Sequence, residues 1–194
     1  NYMFFKIFDK VKRHGLAYQY YLSFPLPKKY TNKEDLHFLI EAYYHACMAK
    51  EYDKATKIIF DYKLNEDLEK CGNYRTLIDL CKQLLPSDHL KGKPILSNIQ
   101  IHSYVLGSIG IAYSALCEER KAIEYYKKAL EISQRISDKQ TIGASLGNIG
   151  HAHIVLGKPK EAIVYYEEAL KIAEEIGDKR SEGTRYGNIG NAYS

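Results

Sequence analysis

Residues 122–133 read AIEYYKKALEIS and residues 162–173 read AIVYYEEALKIA, which is nearly the same phrase forty positions later. A second phrase, G-x-I-G-x-A-[YH], begins at Gly107, Gly147 and Gly187, again every forty residues. A fixed period of this length predicts a helical solenoid, in which each unit buries its apolar face only against its neighbours. Because such a stack exposes one long surface, the pattern indicates that the protein works by binding.

The composition is that of a soluble folded protein. Of the 194 residues, 45% are hydrophobic and 27% are charged, and the net charge is +4, without any block typical of a nucleic-acid-binding tail. No run of 18 apolar residues predicts a membrane span, and the N-terminus does not follow the order of a secretory signal. We therefore expect a cytoplasmic protein. The chain begins at Asn1 and stops at Ser194 inside a repeat, so we expect a piece of a larger protein.

The repeats resemble tetratricopeptide repeats at the positions where helices approach closely. Small residues stand where two helices meet, and large ones stand where a hole must be filled. The matching positions are Gly110, Gly150 and Gly190, preceded by Ile109, Ile149 and Ile189, with Tyr113, His153 and Tyr193 three residues later, and Ala122, Tyr126, Ala129, Ala162, Tyr166 and Ala169 in the second helix. The resemblance implies an all-α, right-handed superhelix of about nine to eleven helices.

The forty-residue unit is longer than the usual 34-residue form, since residues 131–137 and 171–177 prolong the second helix. Units of this length, with L-G-N-I-G phrases, look like the arrays of spindle-orientation adaptors. They look equally like the arrays attached to prokaryotic signalling ATPases of the STAND class. The clear match extends from residue 97 to the end of the chain.

Local signals place the ends of the helices in the repeats. Asp138 and Asp178 are predicted N-caps, because their side chains accept hydrogen bonds that the first turn leaves unmade. Gly157 is predicted to end a helix in a left-handed conformation, as is Gly177, and Pro159 to occupy the first turn of the next helix. Repeat boundaries therefore fall near residues 137 and 177.

Upstream, the pattern decays, and we predict three segments. Residues 1–30 form a helical cap or the remnant of a preceding domain, residues 31–90 form degenerate repeat-like helices, and residues 91–194 form the regular repeats, two full and one truncated. Thr31 and Glu34 are spaced as a capping box, and a helix is expected from about Asp35 to Ala49. In this register Tyr43 stands where the repeats have Gly.

Residues 2–11 predict a short amphipathic helix. Phe4, Phe5, Phe8 and Val11 lie on one side of it, and basic residues lie on the others. Such a helix is able to lie on an anionic membrane, but an aromatic stripe at helical spacing is more typical of a packed core. We therefore expect a packed cap, with Pro25 and Pro27 breaking the chain after it.

No catalytic motif occurs in the sequence. It contains no phosphate loop, H-E-x-x-H or G-x-S-x-G motif, so we expect neither enzymatic activity nor a cofactor. Cys47, Cys71, Cys81 and Cys117 lack metal-binding spacing, which predicts small buried hydrophobic residues. His151 and His153 point some 200° apart on a helix and are unsuited to share a metal ion. His153 takes the aromatic packing position of Tyr113 and Tyr193. The 18 Tyr residues are likewise interpreted as packing rather than as base-stacking side chains.

The resemblance also implies where a partner binds. In tetratricopeptide families the first helices of successive repeats line a concave groove that holds an extended peptide or a helix. The matching positions here are Ser108, Asn148 and Asn188 in one row, Ile111, His151 and Asn191 one turn on, Thr184 a turn earlier and Ile154 a turn later. A carboxamide both donates and accepts, so a row of Asn residues suits a peptide backbone. Equally, Asn beside Gly in a helix can simply tolerate close packing.

The family subset that binds chaperone tails grips a terminal carboxylate with Lys, but Gly107, Gly147 and Gly187 stand at that position. A terminal-carboxylate clamp is therefore not expected.

We predict a non-catalytic protein-interaction module of a signalling or scaffold protein. The alternative is the sensor array of a STAND-type ATPase, or of a transcription regulator whose effector domain lies outside these residues. The last helix, with Tyr186, Ile189 and Tyr193, has no following helix to cover it, so self-association of the chain is also expected.

Overall fold

The computed structural model of the chain describes residues 2–25 and 34–193, with side chains from residue 10 onward. Throughout these residues the regular structure is helical, without strands. The chain divides into two compact units between Ser97 and Asn98. The N-terminal unit holds α1 (Tyr2–Leu22), a 3₁₀ turn (Glu34–Leu36), α2 (His37–Met48), α3 (Tyr52–Phe60), α4 (Leu64–Lys70) and α5 (Tyr74–Gln83). The C-terminal unit holds α6 (Ile99–Ala115), α7 (Glu119–Arg135), α8 (Lys139–Val155), α9 (Pro159–Ile176) and α10 (Lys179–Ala192).

The C-terminal unit is an all-α solenoid, as the period predicts. Each helix from α6 to α9 packs on the next one along the chain, and α6 also contacts α8. The close approach of paired helices depends on glycine. A β-carbon at Gly110 would lie 2.5 Å from Cε1 of Tyr126, and one at Gly150 would lie 2.7 Å from Cε1 of Tyr166. Both Tyr rings are buried, so the ring of one helix fills the notch that the glycine leaves in the other.

The predicted helix ends of the C-terminal unit are confirmed. The Asp138 carboxylate accepts from the Thr141 amide at 3.2 Å, and the Asp178 carboxylate accepts from the Ser181 amide at 3.0 Å. Gly157 has φ +70° and Gly177 has φ +71°, while Pro159 is the first residue of α9. The two Asp side chains thus cap free amide donors at helix N-termini, and the two Gly residues form the left-handed turns that end helices at their C-termini.

The same left-handed turn occurs where the sequence has no glycine. Cys117 follows α6 with φ +58°, and Ser137 follows α7 with φ +56°. Together with Gly157 and Gly177, they give all four turns between the helices of the C-terminal unit one backbone conformation. Side-chain-bearing residues adopt it only at a cost. Of the four cysteines predicted to be buried, Cys81 is buried, Cys47 and Cys71 are half-buried, and the prediction is wrong for Cys117, which is exposed.

The first helix differs from its prediction. It continues to Leu22, eleven residues beyond the predicted end, because α2 packs along it and stabilises the extra turns. Aromatic rings form much of this contact. Phe24 stacks on Phe38 with centroids 4.3 Å apart, and Tyr21 stacks on His45 at 5.5 Å. The capping-box residue Thr31 and the side chains Phe4, Phe5 and Phe8 lie outside the described residues.

Tyr43 shows how the N-terminal unit departs from the repeat pattern. Its ring is fully buried, and its hydroxyl donates a hydrogen bond of 2.5 Å to the Leu80 carbonyl oxygen of α5. A large ring at this position excludes the close helix approach that Gly110 permits, so α2 and α3 cannot repeat the geometry of α6 and α7. Helix α4, which the sequence analysis did not predict, packs between α3 and α5 in this less regular arrangement.

Candidate functional site

Helices α6 and α8 leave side chains exposed at the same repeat positions, and α10 continues the series. The exposed positions are seven and eleven residues apart within a helix, which places them on one face of it. We call this set the open face. Its members are Tyr104, Ile111 and Ala115 on α6, Ala144, His151 and Val155 on α8, and Thr184 and Asn191 on α10.

Most of the residues predicted to bind a partner lie on or beside the open face. Ile111 is 42% exposed, and His151, Thr184 and Asn191 are exposed as well. Three more are half-buried: Asn148, Asn188 and Ile154. Half-burial fits a carboxamide at the base of a recess, but it fits equally a side chain packed against its own neighbours. Their role in binding therefore stays a prediction.

Ser108 is the exception among the predicted residues. It is only 5% exposed, and its hydroxyl donates to the Tyr104 carbonyl oxygen of the preceding turn at 3.1 Å. A serine side chain is too short to reach past the helix backbone, and it commonly satisfies itself on the carbonyl four residues earlier. Ser108 therefore lies off the open face, whereas Asn148 and Asn188 at the same repeat position are half-buried beside it.

The two histidines of α8 have different environments. His151 is exposed, whereas His153 is half-buried and stacks on Tyr165, with ring centroids 5.3 Å apart and an interplanar angle of 11°. Tyr113 and Tyr125 make the corresponding contact one repeat earlier, at 5.5 Å. Burial, aided by Lys158, lowers the pKa of His153. His153 therefore packs as a neutral ring, as its repeat position predicts.

Arg185 is a residue that the sequence analysis missed. A β-carbon at Gly147 would overlap the guanidinium of Arg185, so the cation of α10 lies over the glycine notch of α8. One repeat earlier, Ser145 stands where Arg185 stands, and the space above Gly107 holds no described atom within 4 Å. The signal was present in the sequence, because the same repeat position reads Val105, Ser145 and Arg185.

The described part of the chain shows neither a metal-binding cluster nor a membrane-spanning helix. Within residues 10–25 and 34–193, no group of three or more His, Cys, Asp or Glu side chains is placed to hold a metal ion. In the same part of the chain, no helix combines the length and the hydropathy that a bilayer crossing needs.

Comparison with known proteins identifies the repeats. Residues 104–135 and residues 144–175 each match a family model of the tetratricopeptide repeat. Repeats of this family generally mediate protein–protein interactions and are typically non-catalytic. No curated protein matches the sequence.

Among solved structures, the chain is similar to the crystal structure of BtubC (BKLC) from P. vanneervenii. The two share 14% sequence identity with a TM-score of 0.53. The match covers 96% of this chain and 65% of the other, so this chain spans about two thirds of the length of that protein. At this identity the likeness concerns the fold alone.

Proposed function

Because residues 104–135 and 144–175 are tetratricopeptide repeats, we propose that the C-terminal unit binds a peptide or protein segment along the open face. The observation that carries the proposal is the recurrence of exposed side chains at matched positions of α6, α8 and α10. Such a row offers an extended ligand one contact per repeat. Asn148 and Asn188 supply paired donors and acceptors to the ligand backbone.

The surface is chemically mixed, and this bears on the kind of ligand. Tyr104 and Ile111 make the α6 end apolar, whereas Thr184 and Asn191 make the α10 end polar. A segment with an apolar anchor at one end and hydrogen-bonding groups at the other matches this order. The unit then acts as a scaffold that presents a bound segment, without a chemical step of its own. The cytoplasmic location predicted from composition belongs to the same proposal.

Site-directed photocrosslinking tests the proposal. A benzophenone amino acid is placed at position 151 on the open face, or at position 164 on α9, where Val164 is 53% exposed but lies off that face. Discrete partners are expected from position 151 and not from position 164. The double variant Asn148→Ala/Asn188→Ala should abolish the crosslinks from position 151. Equal crosslinking from both positions, insensitive to the Asn substitutions, would contradict binding at the open face.

We also propose that the chain self-associates through α10. In this helix none of the described residues is buried, and Tyr186 is 58% and Tyr193 is 73% exposed. The residues that match Tyr186 in the earlier repeats, Leu106 and Leu146, are buried. Two exposed aromatic side chains on one helix form an apolar patch of the kind that a second copy covers.

A further inference from the structure

Arg185 brings a positive charge to the side of α8 that carries the open face. Its guanidinium covers the notch at Gly147, immediately beside Asn148 in the sequence. On α10, Asn188 follows Arg185 by three residues, a spacing that puts two helical side chains next to each other. The Arg185 guanidinium therefore reaches from α10 to Gly147 of α8, with the Asn188 carboxamide one turn along α10.

The carboxylate that attracts Arg185 is shared with another group. Arg185 is drawn electrostatically to Tyr166 and Asp178. The Asp178 carboxylate, however, is already engaged as the cap of α10, accepting from the Ser181 amide at 3.0 Å and from the Ser181 hydroxyl at 2.7 Å. Tyr166 offers a neutral phenol. Burial lowers the pKa of Arg185, because a partly buried guanidinium loses some of its contact with water.

The fold does not require a cation at this repeat position. The residues that match Arg185 in the two preceding repeats are Val105 and Ser145, both uncharged and buried. Their helices pack in the same way without a guanidinium. A charge that packing does not need, placed beside the open face and attracted by a carboxylate that already caps α10, fits recognition better than it fits stability.

We propose that Arg185, with Asn188 beside it, binds the carboxylate of an acidic side chain in the segment held along the open face. A guanidinium offers two parallel N–H donors to one carboxylate, and the neighbouring carboxamide adds a third. The inference rests on the proposed function, and it names the chemistry of one ligand residue. Arg185 also brings a cation to Gly147, a position where the lack of a Lys side chain argued against a terminal-carboxylate clamp.

Peptide titration of the full 194-residue chain tests the inference. The probes are acetyl-(Gly-Glu)₄-amide, its Gln counterpart acetyl-(Gly-Gln)₄-amide, and a (Gly-Gln)₄ peptide with a free terminal carboxylate. Binding is followed by the side-chain Nε–Hε NMR resonance of Arg185. We expect the Glu peptide to shift this resonance and to bind about tenfold more tightly than the Gln peptide, as a charge-assisted hydrogen-bonded pair provides.

Matched variants separate a specific contact from general attraction. Arg185→Gln should remove the preference for Glu, and Arg185→Lys should retain only part of it, because Lys lacks the paired donors. Arg180→Gln removes the same charge from an exposed position of the same helix, and it should leave the preference unchanged. Circular dichroism spectra like that of the native chain establish that each variant is folded.

The outcomes distinguish this inference from the proposed function. Equal affinity for the Glu and Gln peptides, with both lost in Asn148→Ala/Asn188→Ala, overturns the role of Arg185 and leaves the groove intact. If Arg180→Gln and Arg185→Gln weaken the preference for the Glu peptide equally, the role of Arg185 is also overturned, because the preference then depends only on the net charge of the chain. If only the peptide with a free terminal carboxylate is preferred, the group that binds is a chain end, and the inference of an acidic side chain is overturned. Binding of none of the peptides counts against both proposals.

Discussion

The notch at Gly110 offers a direct test of how the repeats hold together. In Gly110→Ala, the new β-carbon would lie 2.5 Å from Cε1 and 2.6 Å from Cδ1 of Tyr126. The Tyr126 ring is only 3% exposed, so it has little room to move aside. Overpacking of this kind costs about 1–3 kcal/mol. Alanine recovers about 1 kcal/mol through its better helix propensity, so we expect a net loss of up to about 2 kcal/mol.

Gly107 supplies the matched control on the same helix. A β-carbon there meets no described atom within 4 Å, so Gly107→Ala should gain up to about 1 kcal/mol from helix propensity alone. The propensity gain is common to both variants. Their difference in the free energy of unfolding, about 1–3 kcal/mol, therefore measures the clash with the Tyr126 ring.

Urea unfolding followed by circular dichroism at 222 nm gives this difference, provided that the m-value stays constant across the variants. Gly150→Ala should repeat the loss, since its β-carbon would lie 2.7 Å from Cδ1 of Tyr166. If Gly110→Ala proved as stable as Gly107→Ala, close approach at the notch would not stabilise the repeats. The packing argument would then fail for both helix pairs.

Three further perturbations probe other parts of the chain. Cys117→Gly should stabilise the chain by about 1 kcal/mol, because glycine adopts the left-handed turn without strain. Urea unfolding would measure this gain in the free energy of unfolding. An unchanged free energy would contradict the cost assigned to that turn. His14 Nδ1 lies 2.6 Å from His45 Nδ1 between α1 and α2, and burial, then His45, lowers the pKa of His14 below 6.5. The N-terminal unit should therefore lose stability as the pH falls below about 6.5, with His14→Phe flattening the thermal-melting profile; an equally steep profile in that variant would refute the assignment. Tyr186→Ser/Tyr193→Ser should shift the chain from dimer to monomer in light scattering, and a native chain that is monomeric at high concentration would contradict self-association through α10.

Sequence alone predicted the regular repeats because their signals are local and recur. The spacing of Gly110, Gly150 and their aromatic partners specifies which helices touch, and Asp138 and Asp178 specify where helices begin. A left-handed turn at Cys117 could not be read from the residue itself, since cysteine has no preference for it. It follows only from the alignment of Cys117 with Gly157 in the next repeat.

The N-terminal unit was harder to predict because tertiary contacts decide its structure. The length of α1 depends on the rings of α2, which local propensity does not contain. Tyr43 stands at the glycine position, and the hydrogen-bond partner of its hydroxyl lies 37 residues away in α5. At the open face, the repeat register identified the exposed positions but not the state of each side chain. Ser108 bonds to its own helix, and Arg185 acquires its place only when its side chain reaches Gly147 of α8.

The uniform left-handed turns between α6 and α10 have an evolutionary consequence. Cys117, Ser137, Gly157 and Gly177 share one backbone conformation, with φ between +56° and +71°. The turn before a forty-residue unit therefore has the same conformation as the turn after it. A gene segment encoding one unit can then be duplicated or deleted in frame without changing the backbone conformation between neighbouring units. Such an array can change its reach over generations by whole units, while each surviving copy diverges separately toward its own ligand.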